Sequence, residues 1–393
     1  MSKKRGLTFA FLALLIMILL STYALAQANE TEAEKVDNAY NFLADEVKAK
    51  GFGDVESAAF AILALKNFDS SLADDGIREL MQKSVNNECW PSPQCKVKET
   101  ALAMIALHEM GEDTSKVKAW LLARQILSFE EGDWFLQLEI KPEGSNGTCE
   151  IAYEFQSENK NDKVFVATDK KVSLEKASNC FEIENSRPWW LKVKSICQEI
   201  EFSASCEQPE YIGNLLFITG NTIFVFPEIR NEPGILALKN KCFPAQSGGG
   251  SCDYDATLWA SYALKLEDEE LQTLPFLETN ADANKPHSFS LLFLITGDAD
   301  FADKLAAEQK SAGFWDTDRF FRTAIAYLSV RGLTVADLNK AKSWLLDNQN
   351  PDSSWGATQK VRDTAAVLFA VFPKGAAATT QFGSGWAWLV ADK

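Results

Sequence analysis

One short unit recurs along this chain, and it restricts the fold more than any other feature of the sequence. The unit is a helix ending in Gln, a turn with Gly and Trp, and a small-residue-rich helix opened by an acid and often by Thr-Ala. The clearest copy runs through Trp344, Gln349, Asp352, Trp355 and Gly356 into Arg362-Asp363-Thr364-Ala365. A second has Gln309, Gly313 and Trp315 before Arg322-Thr323-Ala324, and a third has Trp120, Gln125, Gly132 and Trp134. Weaker copies precede Glu56-Ser57-Ala58, Lys98-Glu99-Thr100 and Asp255-Ala256-Thr257. The second helix of each unit is apolar on most sides and rich in Ala, the mark of a helix surrounded by protein. The first helices carry charge on one face and Trp or Leu on the other. The expected fold is therefore mainly α: a double-layered α/α barrel of about six helical hairpins, inner helices against outer ones.

Between Trp134 and about residue 228 the helical period gives way to alternation. Trp134, Leu136, Leu138 and Ile140 alternate with other residues, as do Cys149, Ile151, Tyr153 and Phe155, and later Ile200, Phe202, Ala204 and Cys206. Period two argues strands, and the runs around Pro142-Glu143-Gly144 and at Gly220-Asn221 argue turns. The expected organisation is a leader over 1–26, a first part of the helical barrel over 27–134, a small antiparallel β-domain inserted over 135–228, and a second part of the barrel over 229–393. Cys89 with Cys95 and Cys242 with Cys252 fall at equivalent places in two repeats, which favours local pairing. In the insert the favoured pairs are Cys149 with Cys180 and Cys197 with Cys206, one of three connectivities open to four cysteines.

The Gln, Gly and Trp turns resemble the repeat of squalene and other terpenoid cyclases. The unit as a whole is similar to the α/α toroid superfamily, which also includes protein prenyltransferase β-subunits and the thioester domains of complement and macroglobulin proteins. The resemblance covers roughly residues 35–134 and 229–390. It implies a stabilising role for Gln125, Trp134, Gln309, Gly313, Trp315, Gln349 and Trp355, with Gln and Trp tying one outer helix end to the next turn. The Gln309 copy matches the pattern fully, whereas Ser replaces Gly in the Gln349 copy and Glu88 takes that place in the copy with Gln82 and Trp90. Such a repeat identifies a fold and no particular chemistry.

Lys3, Lys4 and Arg5 precede an apolar run from Leu7 to Leu20 and then Ala24-Leu25-Ala26, the layout of a secretory leader with its cleavage site. Left uncleaved, the same segment would tether the protein to a membrane. Export agrees with eight cysteines, an even number without a Cys-x-x-Cys pair, and with two histidines, too few for the usual zinc sets. The expected location is secreted or extracytoplasmic. The 393-residue chain carries 55 acidic against 39 basic residues and a formal charge of -16, which argues against nucleic acid as a partner. Two sequons, Asn29-Glu30-Thr31 and Asn146-Gly147-Thr148, fall in stretches expected to be exposed.

The chemistry of the resembled families leaves no residue set here. Their cyclases need an acid in an Asp-x-Asp-Asp run, but the pairs Asp253/Asp255, Asp298/Asp300 and Asp316/Asp318 are followed by Ala256, Phe301 and Arg319. Their prenyltransferases use an Asp-x-Cys zinc site, which is absent, and the Cys and Gln of a thioester stand three apart, unlike Cys206 and Gln208. Asp74-Asp75 lacks the third acid of a magnesium-diphosphate motif. No cofactor and no metal are expected. What remains as catalytic candidates are Glu99, Asp255, Asp363, Asp316 and Asp318, because acids recurring at inner-helix starts, Glu56 among them, would gather at one mouth of a barrel. Two carboxylates about 5 to 9.5 Å apart suffice for glycoside cleavage. The competing reading is that acids in a first helical turn answer the helix dipole. Trp259, Tyr262, Phe321, Tyr327 and His108 are candidates to line a central cavity or simply to fill the core.

The leading expectation is a secreted or surface binding or scaffold protein without catalysis, its β insert serving as the recognition surface. One alternative is an extracellular carbohydrate-active hydrolase or lyase working with mouth carboxylates. Another is an isoprenoid or lipid binder of cyclase or prenyltransferase type. The partner is accordingly an extracellular protein, a glycan or an isoprenoid-like lipid.

Overall fold

The computed structural model describes residues 30–128, 132–197, 200–220, 222–225, 229–231, 234–237 and 241–374. The leader expected at 1–26 lies outside them. In chain order the first helices are α1 (Glu32–Lys50), α2 (Val55–Leu65), α3 (Ser70–Gln82), α4 (Val97–Met110) and α5 (Ser115–Leu122). Strands follow: β1 (Ile126–Leu127), β2 (Asp133–Ile140), β3 (Gly147–Phe155), β4 (Glu158–Val166), β5 (Val172–Leu174), β6 (Phe181–Ile183), β7 (Trp190–Val193), β8 (Glu201–Cys206), β9 (Tyr211–Thr219), β10 (Thr222–Val225), β11 (Ile229–Arg230), β12 (Gly234–Ala237) and β13 (Lys241–Cys242). The helices resume with α6 (Tyr254–Leu266), α7 (Leu274–Thr279), α8 (His287–Thr296), α9 (Ala299–Ala307), α10 (Arg319–Val330), α11 (Leu338–Asp347) and α12 (Lys360–Ala370). The described residues divide into two compact units, the first from 30–84, Ile105–Asp113 and 297–374, the second from Val85–Met104 and from within Thr114–Thr296.

In the first unit α2 packs against α12 and α12 against α10, while α1, α3, α9 and α11 pack around this row. The row is apolar as its Ala content predicts: every residue of α2 except Glu56 is buried. Helix starts are fixed by side chains that accept the free first-turn N–H groups. Thr31 and Glu34 form a capping box on α1, and Asp54, Asp69, Asp298 and Asp337 cap α2, α3, α9 and α11.

One hydrogen-bond device recurs at the aromatic of four of the repeats. The hydroxyl oxygen of Thr323 accepts the Trp315 N–H at 2.9 Å, and Thr364 accepts that of Trp355 at 2.9 Å. In the second unit Thr100 does the same for Trp90 at 3.0 Å and Thr257 for Phe243 at 2.8 Å. The two buried indoles also donate outward, Trp315 to Leu305 O and Trp355 to Leu345 O, each at 2.8 Å. Gln309 donates to Gly313 O and Asp337 O and accepts from Asp337 N, and Gln349 donates to Lys35 O and Ser353 O. Each Gln thus joins a helix end, its own turn and the start of another helix.

The second unit holds the strands. β10-β9-β2-β7-β6 form one antiparallel sheet with β11 also on β9, β12-β8-β3-β4-β5 form another, and β1 pairs with β13. The two larger sheets share one core, with Trp134, Leu136, Leu138 and Ile140 from β2 meeting Ile151, Tyr153, Val164 and Phe202 from the other sheet. The alternation in β2 sends Phe135 to the opposite face, where it clusters with Leu216 and Ile218. All four disulfides, Cys89–Cys95, Cys149–Cys206, Cys180–Cys197 and Cys242–Cys252, belong to this unit and indicate folding in an oxidising environment outside the cytoplasm. Among the described residues no helix is long and apolar enough to cross a membrane.

Several expectations are corrected. The protein is not a mainly α toroid: it mixes α-helices with two multi-stranded antiparallel sheets that carry a core of their own. The sheets are also no small insert, because strands run from Ile126 to Cys242. Trp134 is a buried strand residue against Phe217, not the tryptophan of a helical turn, and Gln125 lies between α5 and β1. Cys149 pairs with Cys206 and Cys180 with Cys197, against the expected Cys149–Cys180 and Cys197–Cys206, because β3 and β8 are neighbours whose register sets Cys149 opposite Cys206.

Candidate functional site

Within each unit, acids from the expected set are gathered in a cluster with basic partners. In the first unit Arg362, on the first turn of α12, is the centre. Its Nη2 donates to Asp363 Oδ1 at 2.6 Å and to Asp318 Oδ2 at 2.9 Å, and its Nη1 lies 4.0 Å from Glu56 Oε1. Its guanidinium stacks 4.6 Å from the centroid of Phe321, which meets Phe60 edge-on at 5.1 Å. The packing of α12 between α2 and α10 brings these groups together, since Glu56 opens α2 and Asp318 precedes α10. Asp318 makes no side-chain cap on α10 and is turned instead to Arg362. Asp316, at a positive φ of 60°, accepts from Thr317 N and lies 3.9 Å from Arg322.

Asp363 is 5% exposed. Burial pushes its carboxyl up, the adjacent Arg362 opposes this, and Asp318 and Glu56 add negative charge, leaving it raised to about 6. Its other oxygen presses on Gly356, where an added Cβ would collide with it and where φ is 83°. Gly356 is therefore required both for its backbone and for the carboxylate.

In the second unit Asp255 is the centre. It accepts from His287 Nε2 at 3.2 Å and from Lys98 Nζ at 2.9 Å. Burial alone would raise its carboxyl, but the His287 hydrogen bond and the Lys98 charge outweigh burial and hold it well below the usual carboxylate range. Asp253, not Asp255, caps α6, which leaves Asp255 free to make these contacts. His287, 6% exposed at the start of α8, packs 5.7 Å from Trp259, and Trp259 lies 6.4 Å from Tyr262. Glu99 pairs with Lys96 at 2.9 Å.

Of the cavity candidates, Trp259, Tyr262 and Phe321 are buried, and Tyr327 and His108 are half-buried on α10 and α4. Among the described residues no group of three or more His, Cys, Asp or Glu side chains is placed to hold a metal ion. The sequence pattern did not single out Arg362, His287 or Lys98 as site residues. Arg362 neighbours Asp363 in sequence, but its bond to Asp318, 44 positions away, has no local signal.

The large apolar side chains left in solvent are concentrated on the strands. Phe165 on β4, Ile183 on β6, Ile223 and Val225 on β10, and Trp189 and Ile196 flanking β7 are six of eight such residues among those described. Ile223 and Val225, at 48% and 65% exposure, are two apart on one strand and so share a face. β10 pairs with β9 on one side and ends the path of its sheet.

No family model matches this chain, and no curated protein and no solved structure matches it.

Proposed function

We propose that this is an extracytoplasmic binding protein without catalysis, whose β-sandwich presents the recognition surface. The observation that carries this reading is the distribution of exposed apolar side chains: six of eight among the described residues lie in the strand region, held on a core fastened by Cys149–Cys206 and Cys180–Cys197. Apolar residues on a rigid sheet favour a partner protein over a soluble sugar. The acids support the same reading from the other side, because Asp363 and Asp318 are tied to Arg362 and Asp255 to Lys98 and His287. A carboxylate engaged in this way is a structural ion pair. The protein reaches its location through the leader at 1–26, released after cleavage or retained on the membrane without it. At the level of the single unit the helical hairpins resemble the terpenoid cyclase repeat, a reading supported by Gln309 and Gln349, which tie a helix end to the next turn.

A second reading, cleavage of a glycan by carboxylates, is favoured by one observation. Asp363 and Asp318 stand 2.6 and 2.9 Å from the same nitrogen, and Asp363 is raised to about 6, a pairing of acids in unlike environments. The full-length protein offered a panel of polysaccharides and isoprenoids separates the two readings. No turnover is expected, and turnover lost in Asp363→Asn or Glu99→Gln would overturn the first.

A further inference from the structure

We propose that Asn146 carries an N-linked oligosaccharide whose first sugars rest in the polar cleft beside it. Asn146 is exposed on the turn that enters β3 and opens the sequon Asn146-Gly147-Thr148. It lines a cleft of about 620 Å³ together with Lys141, Ser145, Thr168, Gln208 and Glu210. These side chains offer both donors and acceptors to saccharide hydroxyls. Gly147 is buried, and a Cβ there would collide with the Gln208 side chain, so the middle of the sequon faces inward while Asn146 stays outside. The backbone is fixed on both sides: Lys141 N donates to Glu210 O at 2.9 Å and Glu207 N to Thr148 O at 2.9 Å. The Gln208 side chain lies over Gly147, and its Oε1 is shielded from solvent without a hydrogen-bond partner among the described residues.

The other sequon is built differently. Thr31 has its hydroxyl committed to the capping box, donating to Glu34 Oε2 at 2.8 Å and accepting from Glu34 N, directly before α1. Thr148, by contrast, belongs to β3, opposite Phe165 of β4, and carries no capping box. The four disulfides indicate that the chain matures on the side of the membrane where this modification takes place.

The transfer is a substitution at the anomeric carbon of a lipid-linked oligosaccharide. Asn146 Nδ2 forms the new C–N bond, the bond from the sugar to the lipid phosphate breaks, and the proton lost by the amide neutralises the released phosphate. No oxidation or reduction is involved.

Mass spectrometry of peptides from protein recovered from the cells that make it tests the modification. The peptide containing Asn146 is expected to carry a saccharide mass that disappears in Asn146→Gln and Thr148→Ala and persists in Thr148→Ser. An unmodified Asn146, or occupancy indifferent to Thr148, would overturn the proposal. Hydrogen exchange tests the seating in the cleft: amides of Ser145 and Gln208 are expected to exchange at least about threefold more slowly in the glycosylated chain than in Asn146→Gln. Equal rates would show that the sugars do not rest there.

Discussion

Asp363 is almost hidden from solvent, yet it stands beside two more acids, and Arg362 is what makes that arrangement tolerable. Removing one partner of a buried ion pair leaves the other charge without compensation, at a cost of about 3 kcal/mol or more. Arg362→Ala should therefore lower the denaturation midpoint strongly, and the double variant with Asp363→Asn should recover part of the loss. Asp363 also gives stability a definite pH dependence. Its carboxyl is raised to about 6 in the folded chain against about 4 unfolded, so the folded state binds more protons between these values. The contribution is complete below about pH 4 and is lost as pH rises through 6. Thermal unfolding from pH 4 to 6.5 should show this decline, and Asp363→Asn should flatten it. Asp255 acts in the opposite sense: its depressed carboxyl stabilises above about pH 4 and loses that contribution on further acidification.

At the level of the element, the repeated helical unit rests on a threonine that accepts the N–H of a buried aromatic. Replacing it by an isosteric valine strands that N–H in the core. Thr323→Val should lose about 1 to 3 kcal/mol by chemical denaturation, while Thr323→Ser, which keeps the acceptor, should lose much less. These units were legible in the sequence because the whole device spans few residues, from Trp315 to Thr323 and from Trp355 to Thr364. The strands from Trp134 and Cys149 were legible for the same reason, since alternation is local. Partners set by sheet order were not: Cys149 faces Cys206 because β3 lies against β8, and neither strand states its neighbour. The site was partly legible for a related reason. Recurring acids marked Asp255 and Asp363, but Asp54 and Asp253 do the capping, Lys98 and His287 reach Asp255 from distant turns, and Arg362, beside Asp363, also reaches the distant Asp318.

Across the whole molecule the chemistry of stabilisation is divided. Every disulfide lies in the unit that holds the sheets, and none lies in the unit built on α2, α10 and α12. Closing the 57-residue separation of Cys149–Cys206 is worth about 4 kcal/mol in the chain-entropy account. Hydrogen exchange with and without reductant should consequently show amides of β2, β3 and β8 losing protection, with those of α2 and α12 little changed. A mainly α fold was expected because the helical units dominate the periodicity, whereas short strands such as β10 to β13 leave a weak pattern in sequence. The function proposed rests on what those strands expose. The most direct test is saturable binding of the labelled full-length protein to the surface of the cells that make it. The account predicts that Ile223→Asp with Val225→Asp weakens binding at least about tenfold, a change of about 1.4 kcal/mol, while Val335→Asp, exposed on the other unit, leaves it unaltered. Equal binding by both variants, or no saturable binding by the unaltered protein, would contradict it.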